Sequence, residues 1–156
     1  MSETLSWHWL TFEQLTVYQL HDLMALRTDV FVVEQNCVYH ELDGRDKACY
    51  HLLGMDASEE LVAYCRVLPP GLVYPEVAFG RVLIRESHRG QGLGRTLMEQ
   101  TMHYLINTFG KVPVHIAAQD YLESFYQSFG FKTTSPVFLD DGIPHIEMLF
   151  SPTSSE

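Results

Sequence analysis

Cysteine is scarce. Cys37, Cys49 and Cys65 are the three in 156 residues, and no two stand at CxxC spacing. That pattern indicates neither a disulfide framework nor a cysteine zinc site, and the thiols read as small apolar groups buried in a reducing compartment. Nothing in the sequence supports a reactive thiol at Cys37. Basic residues are also few: 10 Lys+Arg stand against 20 Asp+Glu, a formal charge of −10. A charge of that sign repels phosphate backbones and attracts amines, so no nucleic-acid partner is expected. No apolar run approaches the ~20 residues of a membrane helix, and MSETLSWHWL lacks the basic-then-apolar order of a signal peptide. A soluble, cytoplasmic protein with no membrane partner is the expectation. Repeats and linkers are absent as well. The expected organisation is one domain over residues 1–150 and a frayed polar tail over 151–156. Hydrophobic residues at 46% provide a core for it, which excludes a disordered chain.

The apolar pattern places the elements. Leu5, Trp7 and Trp9 alternate with polar residues as in a strand. Thr16-x-x-Gln19 has the form of a capping box and opens a helix expected over Val17 to Phe31. Arg27 falls on that helix's apolar stripe, where pairing and substrate binding are both open readings. CYHLLGM and LVAYCRVL read as a hairpin, and EVAFGRVLI (76–84) as a third strand with Gly80 inside it, the mark of a bulge. Leu97, Met98, Thr101, Met102, Leu105 and Ile106 form one helical stripe closed by Gly110. VPVHIAA reads as a buried strand and YLESFYQSF as a short helix. Strands at about 132–139 and 145–150 flank the turn Asp140-Asp141-Gly142. This order gives a mixed α/β (α+β) fold with one strand–helix–strand crossover.

The sharpest motif is Arg89-Gly90-Gln91-Gly92-Leu93-Gly94-Arg95, after a strand and at the start of a helix. Glycines at alternate positions let main-chain N–H groups turn together toward a ligand. The helix N-terminus adds free donors and partial positive charge, a seat for a pyrophosphate. The spacing is not the GxGxxG of a dinucleotide fold, and no Lys-Ser/Thr follows as in a nucleotide-triphosphate loop.

The string VLIRESHRGQGLGRTLM resembles the Q/R-x-x-G-x-G/A signature of the Gcn5-related N-acetyltransferase (GNAT) family. HIAAQDYLESFYQSFGF is similar to that family's next strand and helix. LRTDVFVVEQNCVYHELDGRD and DDGIPHIEM resemble its ElaA-like branch. The resemblance implies a twisted, mostly antiparallel sheet of six to seven strands flanked by about four helices. It implies acetyl-CoA as co-substrate and a small-molecule or peptide amine as acceptor, with no metal, in a monomer or homodimer. Main-chain groups of Val82, Leu83 and Ile84 would then pair with the pantetheine arm, and a bulge near Gly80–Val82 would open its slot. Amides from Arg89 through Gly90, Gln91, Gly92, Leu93 and Gly94 to Arg95 would cradle the pyrophosphate. Gln119 stands where many relatives carry Asn, as a pantetheine contact. Tyr126 matches the tyrosine beside the coenzyme sulfur.

Acyl transfer from a thioester to an amine needs a base, an oxyanion donor and an acid for the thiolate. The resemblance assigns the acid to Tyr126; from spacing alone Tyr126 reads as a core aromatic with Leu122. Leu83 or a neighbour would give the oxyanion its N–H. His145 or Glu76 would be the base, each with a structural reading beside it: a hydrogen-bonded strand histidine and a solvated strand end. His115 reads as structural. Arg27, Glu34, Tyr39 and His51 are the residues expected at the acceptor. Glu34, Glu41 and Asp43 could hold a cationic amine, or form an ordinary solvated loop in which Glu34 pairs with Arg27. The rival reading is a non-catalytic acyl-CoA-sensing domain.

Overall fold

The computed structural model describes residues 4–37 and 40–152, so Tyr39 and the end of the expected tail lie outside the described residues. Strand β1 (Ser6–Thr11) pairs with β2 (Tyr50–Met55), which forms the expected hairpin with β3 (Leu61–Leu68). Trp9 stacks on Tyr50 of β2 and on Tyr104 of the layer behind the sheet, with ring centroids 4.9 and 5.5 Å away. Between β1 and β2 lies helix α1 (Val17–Thr28). Its capping box is formed: Gln19 N–H donates to Thr16 Oγ1 at 3.0 Å, and Thr16 N–H to Gln19 Oε1 at 2.9 Å.

The helix was expected to run to Phe31. The α-form stops at Thr28, whose hydroxyl donates back to the Met24 carbonyl at 2.8 Å, and a wider π-helical turn carries on over Asp29–Glu34. Strand β4 (Val77–Ile84) follows β3 antiparallel. Helix α2 (Leu93–Phe109) then crosses to β5 (Val114–Gln119), parallel to β4. A short helix α3 (Glu123–Gln127) precedes β6 (Phe131–Thr133), β7 (Phe138–Asp140) and β8 (Ile143–Phe150).

The sheet runs β1-β2-β3-β4-β5-β8-β6, with β7 also on β8. It is mixed and mostly antiparallel, as expected, but has eight strands rather than six to seven. The segment expected as one strand over 132–139 is two, because Pro136 has no N–H to continue a ladder. Three α-helices flank it among the described residues, not four.

Every residue of β3 is buried, since both faces of this central strand are covered. One face, with Leu52, Val62, Val67 and Phe79, packs on Leu97 and Met98 of α2. The other, with Leu53, Tyr64 and Leu83, packs on Leu23 and Leu26 of α1. All three cysteines are free thiols, Cys49 and Cys65 buried and Cys37 half-buried. No helix among the described residues is long and apolar enough to cross a membrane.

Candidate active site

Two departures from a regular sheet open the site. Along β3 and β4, Arg66 stands opposite Gly80 but Tyr64 opposite Leu83, so Cys65 faces both Arg81 and Val82. This is the expected bulge, and Arg81 in it has φ +53°. Strands β4 and β5 then pair only at Val77–Val114 and Ala78–His115 and part beyond them. The gap widens into a cleft of about 730 Å³ whose lining includes Val82, Leu83, Ile84, Gln119, Tyr126 and His145.

The ladder decides which main-chain groups of β4 face the gap. Arg85 donates its N–H to the Val62 carbonyl at 2.7 Å. Bonding alternates along an antiparallel pair, so Leu83 turns its N–H and C=O to Tyr64 on β3. The Val82 carbonyl and the Ile84 N–H and carbonyl therefore point the other way, toward the gap. The Ile84 carbonyl already accepts from Arg89 Nε at 2.9 Å. Leu83 is thus removed from the expected main-chain contacts and from the oxyanion role.

At the far end of the cleft, Gly90 and Gly92 stand at φ +83° and +78°, and Gly92 caps α2. A Cβ added at either would meet nothing within 4 Å, so the loop's outer face is open. Arg95 lies over the Phe129 ring at 4.6 Å. Arg89 is engaged by Glu34, Nη2 to Oε1 at 2.8 Å. Glu34 therefore pairs with Arg89, not with Arg27. The cleft lining reaches Arg89, and the rest of the loop continues beyond it.

Tyr126 is 5% exposed, among the rings of Phe79, Phe125 and Phe131. Its hydroxyl makes no hydrogen bond among the described residues, and the residue borders the cleft. Burial pushes the phenol's pKa well above its ordinary value. His145, on β8 opposite Gln119, also borders the cleft. Its Nδ1–H donates to the Ile143 carbonyl at 2.7 Å, which leaves Nε2 as the proton-accepting nitrogen. Gln119 donates across the cleft to Gln35 Oε1 at 3.3 Å.

Residues 41–46 are a hub of buried charge. Arg27, fully buried, donates to Glu41 Oε2 at 2.6 Å and to Asp46 Oδ1 at 2.5 Å. Arg66 donates to both oxygens of Asp43 at 2.9 and 2.8 Å, and Arg81 Nε donates to Glu41 Oε2 at 2.8 Å. His51, also fully buried, lies 2.9 Å from the Asp46 carbonyl through Nε2 and 2.6 Å from the Tyr64 hydroxyl through Nδ1. A carbonyl accepts only, so Nε2 carries the proton and Nδ1 takes the Tyr64 O–H. Burial lowers the His51 pKa and keeps the ring neutral.

Burial alone would raise the Asp43 carboxyl. The Arg66 hydrogen bonds and the Arg45 N–H outweigh it and hold the group well below the usual carboxylate range. A depressed folded-state pKa gives stability that is fully present above the unfolded value of ~3.9 and fades as pH falls below it. Asp43→Asn is therefore expected to reduce unfolding free energy by about 1.5–3 kcal/mol at pH 7. The deficit should shrink steadily in denaturant titrations taken from pH 4 toward pH 2. A deficit independent of pH would show that the charge of Asp43 is not what matters.

Residues 19–151 match the family described as an acetyltransferase (GNAT) domain. The chain belongs to the GNAT family. It is 42% identical to protein ElaA of Escherichia coli over 92% of this chain and 95% of that one. A UPF0039 protein of Synechocystis is 39% identical over 94% and 95%. Among solved structures, an acyl-CoA N-acyltransferase from Pseudomonas aeruginosa matches with a TM-score of 0.91 at 39% identity, over 95% of this chain and all of that one. The crystal structure of Escherichia coli ElaA matches at 0.89 and 41%, with the same coverage. GNAT membership supports acyl-CoA-dependent acyl transfer, with a coenzyme A thioester as co-substrate.

Against that GNAT frame, Val82, Ile84, Arg89, Gln119, Tyr126, His145 and Glu34 converge on the cleft. Arg27 and His51 do not border it: both are fully buried and committed to Glu41, Asp46 and Tyr64, so neither contacts an acceptor. Glu41 and Asp43, read as amine-binding or solvated groups, are occupied by Arg27, Arg66 and Arg81. Glu76 also lies off the cleft lining, 3.3 Å from Nδ1 of His115. That ring bonds Glu147 through its other nitrogen and stacks on Tyr74. Asp46, Arg66, Arg81 and Gln35 are the residues the sequence reading missed. The available signal was Arg66, a charge at an inward position of an apolar strand. Asp56, Glu60 and His88 bring ligand atoms within 4.8 Å of one another, away from the cleft, and no role is assigned to them.

Proposed function

We propose that the protein moves an acetyl group from acetyl-CoA directly to a primary amine of a small molecule or peptide. The observation that carries this reading is Tyr126, which lines the slot between β4 and β5 and whose hydroxyl has no hydrogen-bond partner among the described residues. The neutral amine attacks the thioester carbonyl and forms the N–C bond. His145 Nε2 takes the proton the nitrogen loses. The C–S bond breaks, and Tyr126 donates its proton to the departing thiolate. Exchange with solvent returns a proton to Tyr126 and removes one from His145. The gap-facing groups of Val82 and Ile84 hold the pantetheine amides, and the 89–95 loop the pyrophosphate. Direct transfer is favoured over an acyl-cysteine. Cys65 is fully buried and burial pushes its thiol up to about 12, while Cys37 gives its S–H to the Asp141 carbonyl at 3.4 Å.

The test is thiol release from acetyl-CoA across a panel of peptide N-termini, lysines, polyamines, amino sugars and aryl amines. At least one class should give steady, saturable release, with the acetylated amine seen by mass spectrometry. Tight acetyl-CoA binding with no release above hydrolysis for any acceptor would establish the sensing domain instead.

A further inference from the structure

The β4 bulge holds a side chain where its backbone favours glycine. Arg81 stands at φ +53°, a region that residues with a Cβ enter at a cost. Its side chain explains the choice. Nε donates to Glu41 Oε2 at 2.8 Å and Nη2 to the Glu41 carbonyl at 3.4 Å, with Asp43 Oδ2 at 3.6 Å. Glu41 is itself fixed from α1, because the same Oε2 accepts from Arg27 Nε at 2.6 Å. A line of buried charge thus runs from the first helix to one residue of the slot strand.

That residue controls a particular peptide group. The ladder with β3 sets the direction of the Val82 carbonyl and of the Ile84 N–H. It does not set the Val82 N–H, because Arg81 and Val82 share one partner, Cys65. The Val82 N–H belongs to the Arg81–Val82 peptide, whose orientation follows from the backbone angles of Arg81. Val82 borders the cleft on the strand where the acyl group would lie.

We infer that Arg81 is a positioning residue for acyl transfer: gripped by Glu41, it aims the Val82 N–H at the oxyanion that forms on the thioester carbonyl. This rests on the coenzyme reading of the slot. Arg81 acts through the peptide it heads, so its effect belongs to the transition state and not to ground-state binding.

Arg81→Gly is the decisive variant, since glycine accepts φ +53° without strain and the bulge survives while its orientation is released. With an amine that turns over, kcat should fall about tenfold or more, while KM for acetyl-CoA and its calorimetric Kd stay within about threefold. Arg81→Lys, which keeps one charged contact to Glu41, should recover part of kcat. The Val82 amide resonance of 15N-valine-labelled protein, assigned with Val82→Ile, should move in Arg81→Gly without coenzyme present. A kcat within twofold of the parent, or an unmoved Val82 amide, overturns the inference. Failure of the parent to bind acetyl-CoA or acetylate any amine would overturn the proposed function; the Val82 amide of the free protein would still decide the role of Arg81.

Discussion

Tyr126→Phe should lower kcat by about 10²–10³-fold while the Kd for acetyl-CoA is unchanged. The change removes one oxygen and no packing. The ring's contacts with Phe79, Phe125 and Phe131 are those of a phenyl group, and the hydroxyl has no hydrogen bond among the described residues to lose. Thermal stability should therefore match the parent.

The pH profile separates this role from others. Burial raises the phenol's pKa, so the acid form needed for donation persists through neutral and mildly alkaline pH. Titration of Tyr126 should then produce no fall in kcat up to about pH 10, the reference value it exceeds. A raised pKa also makes the phenol a weaker acid than a free thiol of ~8.5. Its contribution comes from a short hydrogen bond to sulfur as charge develops there, with proton transfer completed as the thiolate leaves. An unchanged kcat in Tyr126→Phe would take the residue out of the mechanism. A raised Kd with unchanged kcat would make it a coenzyme contact only.

How much of this was legible beforehand differs between the two halves of the site. The half proposed to hold the coenzyme was written in local patterns. Glycines at alternate positions before a helix, a glycine inside a strand and a tyrosine four residues before Gly130 each constrain only their own surroundings. The structure returns the loop, the bulge and the splayed strands where they were expected. The half expected at the acceptor depends on pairing between residues far apart in sequence. Glu34 is 55 residues from Arg89, and Glu41 is 40 from Arg81. No periodicity joins such partners, so polar residues over 34–46 looked like a solvated loop when Glu41 and Asp46 are buried counterions and Asp43 a half-buried one. Arg27 on an apolar stripe pointed to a partner or a ligand, but Glu34, the partner considered for it, was the wrong one: Arg27 pairs with Glu41 and Asp46. Pairing followed the sheet: Arg66 and Arg81 emerge from β3 and β4 on the side that the segment covers. The same argument limits His51, whose neighbours Tyr64 and Asp46 leave its ring nothing to offer a substrate. His145 differs because it borders the cleft and its second nitrogen makes no hydrogen bond among the described residues.

Gly92→Ile should raise the acetyl-CoA Kd by about 100-fold or more and leave a folded protein. Gly92 caps α2 at φ +78°, and an isoleucine there costs about 1–2 kcal/mol of left-handed strain. Against a typical stability of roughly 5–15 kcal/mol, that is survivable. It corresponds to a fall of about 2–8 °C in Tm for a chain of this length. The Cβ of the new side chain meets no protein atom, since nothing lies within 4 Å of it. It projects instead into the open face of the loop, where a pyrophosphate would have to approach the amides, and its strain turns those amides away. Gly110 supplies the control. It closes the other end of α2 at φ +85°, with equally open surroundings. Gly110→Ile should lose at least as much stability, because ψ −172° there is a glycine-only region. Its acetyl-CoA affinity should equal the parent's. If both variants bind alike, the open loop is not the coenzyme's seat. If both lose binding, helix α2 rather than its N-terminus is what the measurement reports.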